Sequence, residues 1–253
     1  MAKMTLIEMV QDIMSDMNDD DVNSISDTIE SLQVAQIVKS TYFEMMANKN
    51  WPHLRSVGTL QASGDNTKPT HMKIPELVKE IGTVEYNKRA ASDPTRNRYE
   101  DVTYVSIDDF LRITDTYDNT KSNADVITEF SGIKFNVRND KHPQYYTSFD
   151  DEYLVFDSYL NTMDTTLQQT HTRVSMYTEP SWSMADNFTP DLPSEAFPAL
   201  LAEAKSVAFN RIKQSPDGKA EQQATRQRAW LSRKSWRAAG GIKLPSYARR
   251  SRK

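Results

Sequence analysis

The apolar residues change period twice along the chain, and this limits the possible folds more than any composition figure. At the N-terminus Leu6, Met9, Val10, Ile13 and Met17 fall on one helical face. Thr5 and Glu8 have the spacing of a capping box, in which each side chain satisfies a backbone donor of the other. Asn18-Asp19-Asp20-Asp21 should end this helix, because Asn and Asp compete for backbone hydrogen bonds. A second helix is expected from Asp27, filled by Ile29, Leu32, Val34, Ile37, Val38, Thr41, Tyr42 and Met45, a pattern wide enough to bury more than one face. Trp51-Pro52 should stop it, since proline cannot continue the helical ladder.

From Ser56 onward the helical period disappears. Val57–Ala62, His71–Ile74, Thr83–Asn87 and Asp101–Val105 read as strands, rich in Thr, Tyr and Val and separated by turn residues. Ser106 is placed to cap a short helix, Ile107–Ile113, with Asp108 and Asp109 near its positive end. Tyr145–Phe149 and Glu152–Asp157 look like two arms of a hairpin turning at Asp150-Asp151, and Arg173–Tyr177 reads as a last strand.

The helical period returns after Pro193. Ser194 is a candidate cap, and Phe197, Leu200, Leu201, Ala204, Val207, Ala208 and Ile212 form an apolar stripe, with Pro198 in the first turn. Pro216-Asp217-Gly218 reads as a turn into a polar helix, about Lys219–Arg237, whose apolar stripe is only Ala220, Ala224 and Leu231. Gly240-Gly241 ends it, and an extended basic arm follows. The expected fold class is α+β: a helical bundle from residues 1–55 and 190–239, a strand-rich insertion at 56–189, and an arm at 240–253. The two N-terminal helices and the Ser194–Ile212 helix should pack together, because each apolar stripe needs a partner.

Composition excludes several chemistries. The 253 residues include no Cys, which excludes thiolate metal sites, a Cys nucleophile and a disulfide framework. Seven Gly leave little room for glycine-rich phosphate loops. No apolar run approaches the roughly 20 residues of a membrane span, and Glu8, Gln11 and Asp12 interrupt the stretch where a signal peptide needs apolar residues, so a soluble, non-secreted protein is expected.

No cofactor or metal is expected. The four histidines, His53, His71, His142 and His171, stand singly and read as surface or partly buried residues. Asp16-x-Asn18-x-Asp20 resembles the start of a calcium loop, but Asp21 stands where the sharp turn wants Gly and Asp27 where a bidentate Glu belongs. The adjacent Asp150 and Asp151 fit a turn better than acid–base catalysis.

Charge is divided along the chain. Residues 211–253 carry 13 Lys/Arg and two acids, a net +11, whereas residues 1–210 carry 18 basic and 33 acidic residues, a net −15. Arginines with interleaved aromatics can hold nucleic acid by phosphate contact and stacking, or form hot spots at protein interfaces. The candidate binding residues are Arg233, Lys234, Trp236, Arg237, Ile242, Leu244, Tyr247, Arg249 and Arg250.

Three stretches carry a family likeness: LIEMVQDIMSDMNDDDVNSISDTIESLQVAQIVKSTYFEMMANKNWPHL, SFDDEYLVFDSYLNTMDTTL, and FTPDLPSEAFPALLAEAKSVAFNRIKQ with the following AEQQATRQRAWLSRKSW. In order and texture they resemble the head-to-tail adaptor, or connector, proteins of short-tailed bacteriophages, the tail tubular protein A-like family. The resemblance implies a structural virion protein with no enzymatic activity. It implies a homo-oligomeric ring of twelve subunits in the neck, between the capsid vertex and the tail. Its partners would be the portal protein and the tail nozzle protein, with genomic DNA passing through an axial channel on ejection and no membrane involved. The helical bundle would lie at the portal side, the β-rich insertion would face neighbouring subunits and the tail, and the C-terminal arm would reach onto the portal. An acidic body suits a channel wall that must not grip phosphate. Two rival readings are a nucleic-acid-binding protein using the basic C-terminal segment and a virion-associated hydrolase using carboxylates of the strand-rich region.

Overall fold

The computed structural model describes residues 3–47, 50–89, 95–129, 131–215 and 218–238. The chain forms two units, Met1–Leu54 with Pro180–Lys253, and Arg55–Glu179. The class is α+β, with N-terminal helices packed on C-terminal ones and an eight-stranded curled sheet between them in sequence.

In the helical unit, α1 spans Leu6–Asp16 and α2 spans Ile29–Ala47. Both halves of the α1 capping box form: Glu8 N–H donates to the Thr5 hydroxyl and Thr5 N–H donates to the Glu8 carboxylate. At the other end Asn18 takes a left-handed φ of 53°. Asp19 N–H reaches Met14 O and Asn18 N–H reaches Ser15 O, each at 3.1 Å. This pair of bonds is a Schellman stop, in which Asn replaces the usual glycine.

The start of α2 differs from the Asp27 expectation. Thr28 and Ser31 exchange backbone-to-hydroxyl bonds of 3.0 and 3.1 Å, while the Asp27 carboxylate accepts from Asn23 N–H and Ser24 N–H in the preceding loop. Ile29 and Leu32, expected in the core, are exposed, at 73% and 40%. The end is as expected near Trp51, whose indole N–H donates to Met45 O at 2.9 Å and satisfies a carbonyl that α2 leaves open.

Helix α4 spans Phe197–Arg211 and α5 spans Gly218–Ala238. Ser194 is not the cap of α4: the cap position is Ala196, without a side-chain bond, and Pro198 lies in the first turn. Leu200 is fully buried and Leu201 only partly. Helices α1, α2 and α4 share one core, built around Leu6, Met9, Ile13, Val38, Tyr42, Phe197 and Leu200. Residues 180–189, expected in the insertion, belong to this unit. Trp182 and Phe188 pack on its core, and Leu6 N–H and Ile7 N–H donate to Phe188 O and Asp186 O.

In the sheet unit the expected strand Val57–Ala62 is two short strands, β1 (Arg55–Gly58) and β2 (Gln61–Ala62). The others are β3 (His71–Lys73), β4 (Val78–Asn87), β5 (Tyr99–Tyr104), β6 (Ala124–Thr128), β7 (Lys134–Arg138), β8 (Tyr145–Ser148), β9 (Tyr153–Phe156) and β10 (Thr172–Thr178), with α3 (Ile107–Asp115) after β5. The main sheet runs β1-β10-β4-β5-β8-β9-β3-β2, and β6 and β7 form a separate hairpin. Its two edge strands, β1 and β2, are consecutive in sequence and joined only by Thr59 and Leu60. The three steps from Gly58 to Gln61 reach no further than about 11 Å, so the sheet must curl until its edges approach. Leu60, Met72, Val84, Leu154, Phe156 and Val174 fill the inside.

Pairing is antiparallel except for β5 with β8. The register of β4 against β10 slips twice. At the first slip Gly82 eases a close approach, since a Cβ there would lie 3.0 Å from Ser175 Oγ and 3.2 Å from Ser175 O, tight enough that Ser175 would have to shift.

Candidate interaction surface

Helix α5 leaves most of its surface uncovered. Ala220, Ala224 and Leu231 are buried, Gln227 and Ser232 are half-buried, and the other side chains described from Gly218 to Arg233 are exposed. One narrow stripe therefore docks the helix, as the thin sequence pattern implies. It docks on α4, where Arg228 also meets Glu203 at 2.9 Å. A helix that is polar over most of its circumference gains little from burying itself on its own chain.

A groove of about 500 Å³ runs beside this contact, between Glu195 and Pro198 at the start of α4 and Arg226, Gln227 and Trp230 of α5. Trp230 is 46% exposed. Arg226, Trp230 and Arg233 follow i, i+4, i+7 spacing and so share one face. Of the predicted binding residues, Arg233 is exposed on α5. Lys234, Trp236 and Arg237 lie on the α5 backbone, and their side chains are outside the described residues. Ile242, Leu244, Tyr247, Arg249 and Arg250, with the whole arm from Gly240, are outside them too.

The same unit carries the opposite charge on its N-terminal helices. Asp12 and Asp16 of α1 both contact Lys205 of α4, at 2.7 and 2.5 Å, and Asp19 contacts Lys213 at 2.8 Å. Two of the carboxylates that resembled a calcium loop have other partners. Asp16 pairs with a lysine, and Asp27 braces backbone. Among the described residues no three carboxylate or imidazole groups converge on one point. Asp20, Asp21 and Glu30 are exposed and form no ion pair among the described residues.

The sheet unit holds polar groups that the sequence did not single out. His71 and His171 are buried, against the expectation of surface or partly buried histidines. His71 Nε2 lies 2.6 Å from Glu129 Oε2, and Lys68 Nζ lies 3.8 Å from the other oxygen. Burial lowers the His71 pKa, and the Glu129 contact only partly opposes this. His171 Nδ1 lies 3.3 Å from the Tyr86 hydroxyl, and burial lowers its pKa as well.

The buried Asp157 carboxylate accepts from Gln144 N–H and Tyr145 N–H, each at 2.9 Å, and from the Tyr117 hydroxyl at 3.0 Å. It holds the chain where β8 begins its parallel pairing with β5. A sequence shows an acid here but not the backbone donors that make it affordable to bury.

The Asp150-Asp151 pair is a turn. Asp150 Oδ1 accepts from Glu152 N–H and Tyr153 N–H, and Asp151 takes a φ of 59°. A concavity of about 660 Å³ in this unit is lined by residues that include Ile74, Val78, Lys79, Glu80, Tyr104, Tyr146, Ser148, Asp151 and Leu154. Its lining mixes tyrosines and aliphatic groups with the Glu80 and Asp151 carboxylates, Lys79 and the Ser148 hydroxyl, and that hydroxyl donates to Tyr153 O at 2.7 Å.

No protein-family model and no curated protein matches the chain. Among the described residues no helix is long and apolar enough to cross a membrane.

Proposed function

We propose that the chain is a non-enzymatic structural subunit of a virion, a ring-forming head-to-tail adaptor of a short-tailed bacteriophage. In this reading identical copies form a ring in the neck, a dodecamer in the family it resembles. The ring joins portal to tail nozzle and lines the channel through which DNA is ejected. The observation that carries the reading is helix α5, held by one stripe on its own chain and leading a basic, aromatic-bearing surface toward the C-terminus. A helix with so little cover is suited to a subunit completed by its neighbours. A bundle built from both chain ends, with the sheet between them in sequence, is the architecture the resemblance implies and supports the reading further.

The portal contact is assigned to α5 from Arg233 onward and to the arm. Ile242, Leu244 and Tyr247 act as anchors and Arg249 and Arg250 set register by charge-assisted bonds. Truncation after Gly241 tests this. The truncated protein should fold normally by circular dichroism yet fail to join portal-bearing heads, leaving filled capsids that leak DNA. Infectious particles at wild-type yield would overturn the assignment.

One observation favours the nucleic-acid alternative: Trp230 stands exposed between Arg226 and Arg233 on one helix face. Stacking on such an aromatic is worth about 1–3 kcal/mol per base. The adaptor reading predicts weak binding of free DNA at moderate salt, because the acidic body repels phosphate. Sub-micromolar, salt-steep binding in a gel shift would support the alternative instead.

A further inference from the structure

Two exposed features of the helical unit complement each other in charge and in chemistry, and they lie on different elements. The first is the groove beside α5, lined by Pro198 and the indole of Trp230 together with Glu195, Arg226 and Gln227. The second is the start of α2, where Ile29 and Leu32, three residues apart, expose 73% and 40% of their surface. Glu30 lies between them in sequence and Asp20 and Asp21 belong to the loop that precedes α2; all three are exposed and without ion pairs among the described residues. Two adjacent exposed aliphatics on an otherwise well-packed helix mark a surface that is covered in use.

We propose that the α5 groove receives the start of α2 from a second copy of the chain. Ile29 and Leu32 pack against Trp230 and Pro198, and Glu30 meets Arg226. Charge complementarity selects this occupant. Thirteen of the chain's 31 basic residues lie beyond residue 210, whereas its acidic residues lie almost wholly before it. The groove itself holds one acid, Glu195, but the α5 face beside it carries Arg226 and Arg233, both exposed, and the exposed acids at the start of α2 of a second copy complement that face. The two patches are different surfaces, so the contact is heterologous. Repeated, it closes into a ring if the rotation allows and otherwise continues as a filament. This deepens the ring reading and rests on it, by naming the surface through which neighbours meet.

The absence of cysteine gives a clean test. Glu30→Cys and Arg226→Cys are placed together in one full-length chain, and singly in two others. Each is oxidised or treated with a short bis-maleimide, and native assembly is followed by sedimentation. The double variant should give a covalent ladder longer than a dimer, and neither single variant should. In parallel, Glu30→Arg and Arg226→Glu should each raise the concentration for half-assembly at least tenfold, and the combined reversal should restore most of it.

Both exposed positions leave the fold unaltered, which circular dichroism checks. Wild-type assemblies that are indifferent to both reversals and yield no ladder would overturn this interface while leaving the ring reading intact. A wild-type chain that sediments as a monomer at every concentration and salt would overturn both.

Discussion

Lys205 Nζ lies 2.7 Å from Asp12 Oδ2, joining the fourth helix to the first across most of the sequence. Asp16 approaches the same ammonium one turn further along α1. Burial alone would lower the Lys205 pKa, but the bonds to the two carboxylates outweigh it and the net shift is upward. A raised pKa means the pair stabilises the fold fully below the unfolded value of about 10.4 and loses this only as pH rises through the folded value. Lys205→Met should therefore cost about 1 kcal/mol at pH 7, measured by urea unfolding. A variant as stable as wild type would show that the ion pairs contribute nothing.

The histidines give a pH dependence of opposite sense. Burial lowers the pKa of His53, His71, His142 and His171 alike. Below about pH 6.5 the unfolded chain then binds more protons than the folded one, so stability falls as pH drops. The unfolding midpoint should decline from pH 7 to pH 5, and His71→Gln should flatten that slope. A midpoint that rises on acidification would contradict this.

Tyr42 is fully buried, and its hydroxyl has no hydrogen-bond partner among the described residues. Burial, reinforced by Asp191, pushes the phenol up to about 12. Removing an unsatisfied hydroxyl while keeping the ring should be neutral or should stabilise by up to about 1 kcal/mol. Thermal unfolding of Tyr42→Phe checks it, and a clear loss of stability would mean that the hydroxyl is satisfied in solution.

Leu200 and Leu201 are neighbours with different burial. Leu200→Ala should cost about 2–5 kcal/mol, because it leaves a cavity where α4 meets the N-terminal helices. Leu201→Ala should cost visibly less. Equal losses would mean that α4 presents a different face to the core.

This pair shows how far the sequence reading reaches. The stripe on α4 was legible as a period, but a period cannot rank two adjacent leucines, since the width of the buried face is set by α1 and α2. Local signals suffice where both partners are close in sequence, as in the Thr5–Glu8 box, the Ser106 cap and the Asp150 turn. Strands β6 and β7 lie outside the strands the sequence pattern predicts, although Ser131-Gly132 is a turn dipeptide and Gly132 takes a φ of 83°. The flanking Phe130 and Ile133 blur the break between the arms. The parallel pairing of β5 with β8, and the burial of Asp157 and His71, depend on groups far away in sequence and leave no local trace. The candidate surface was legible as charge. The exposure of Ile29 and Leu32 was not, because an apolar residue on a helix reads as core until its neighbours are known.

The adaptor reading is tested most directly by locating the protein in purified particles. A gold-labelled tag on this chain should appear in electron micrographs as a cluster at a single vertex, between capsid and tail, in every tailed particle. Label absent from particles, or spread over the capsid or tail fibres, would contradict the account.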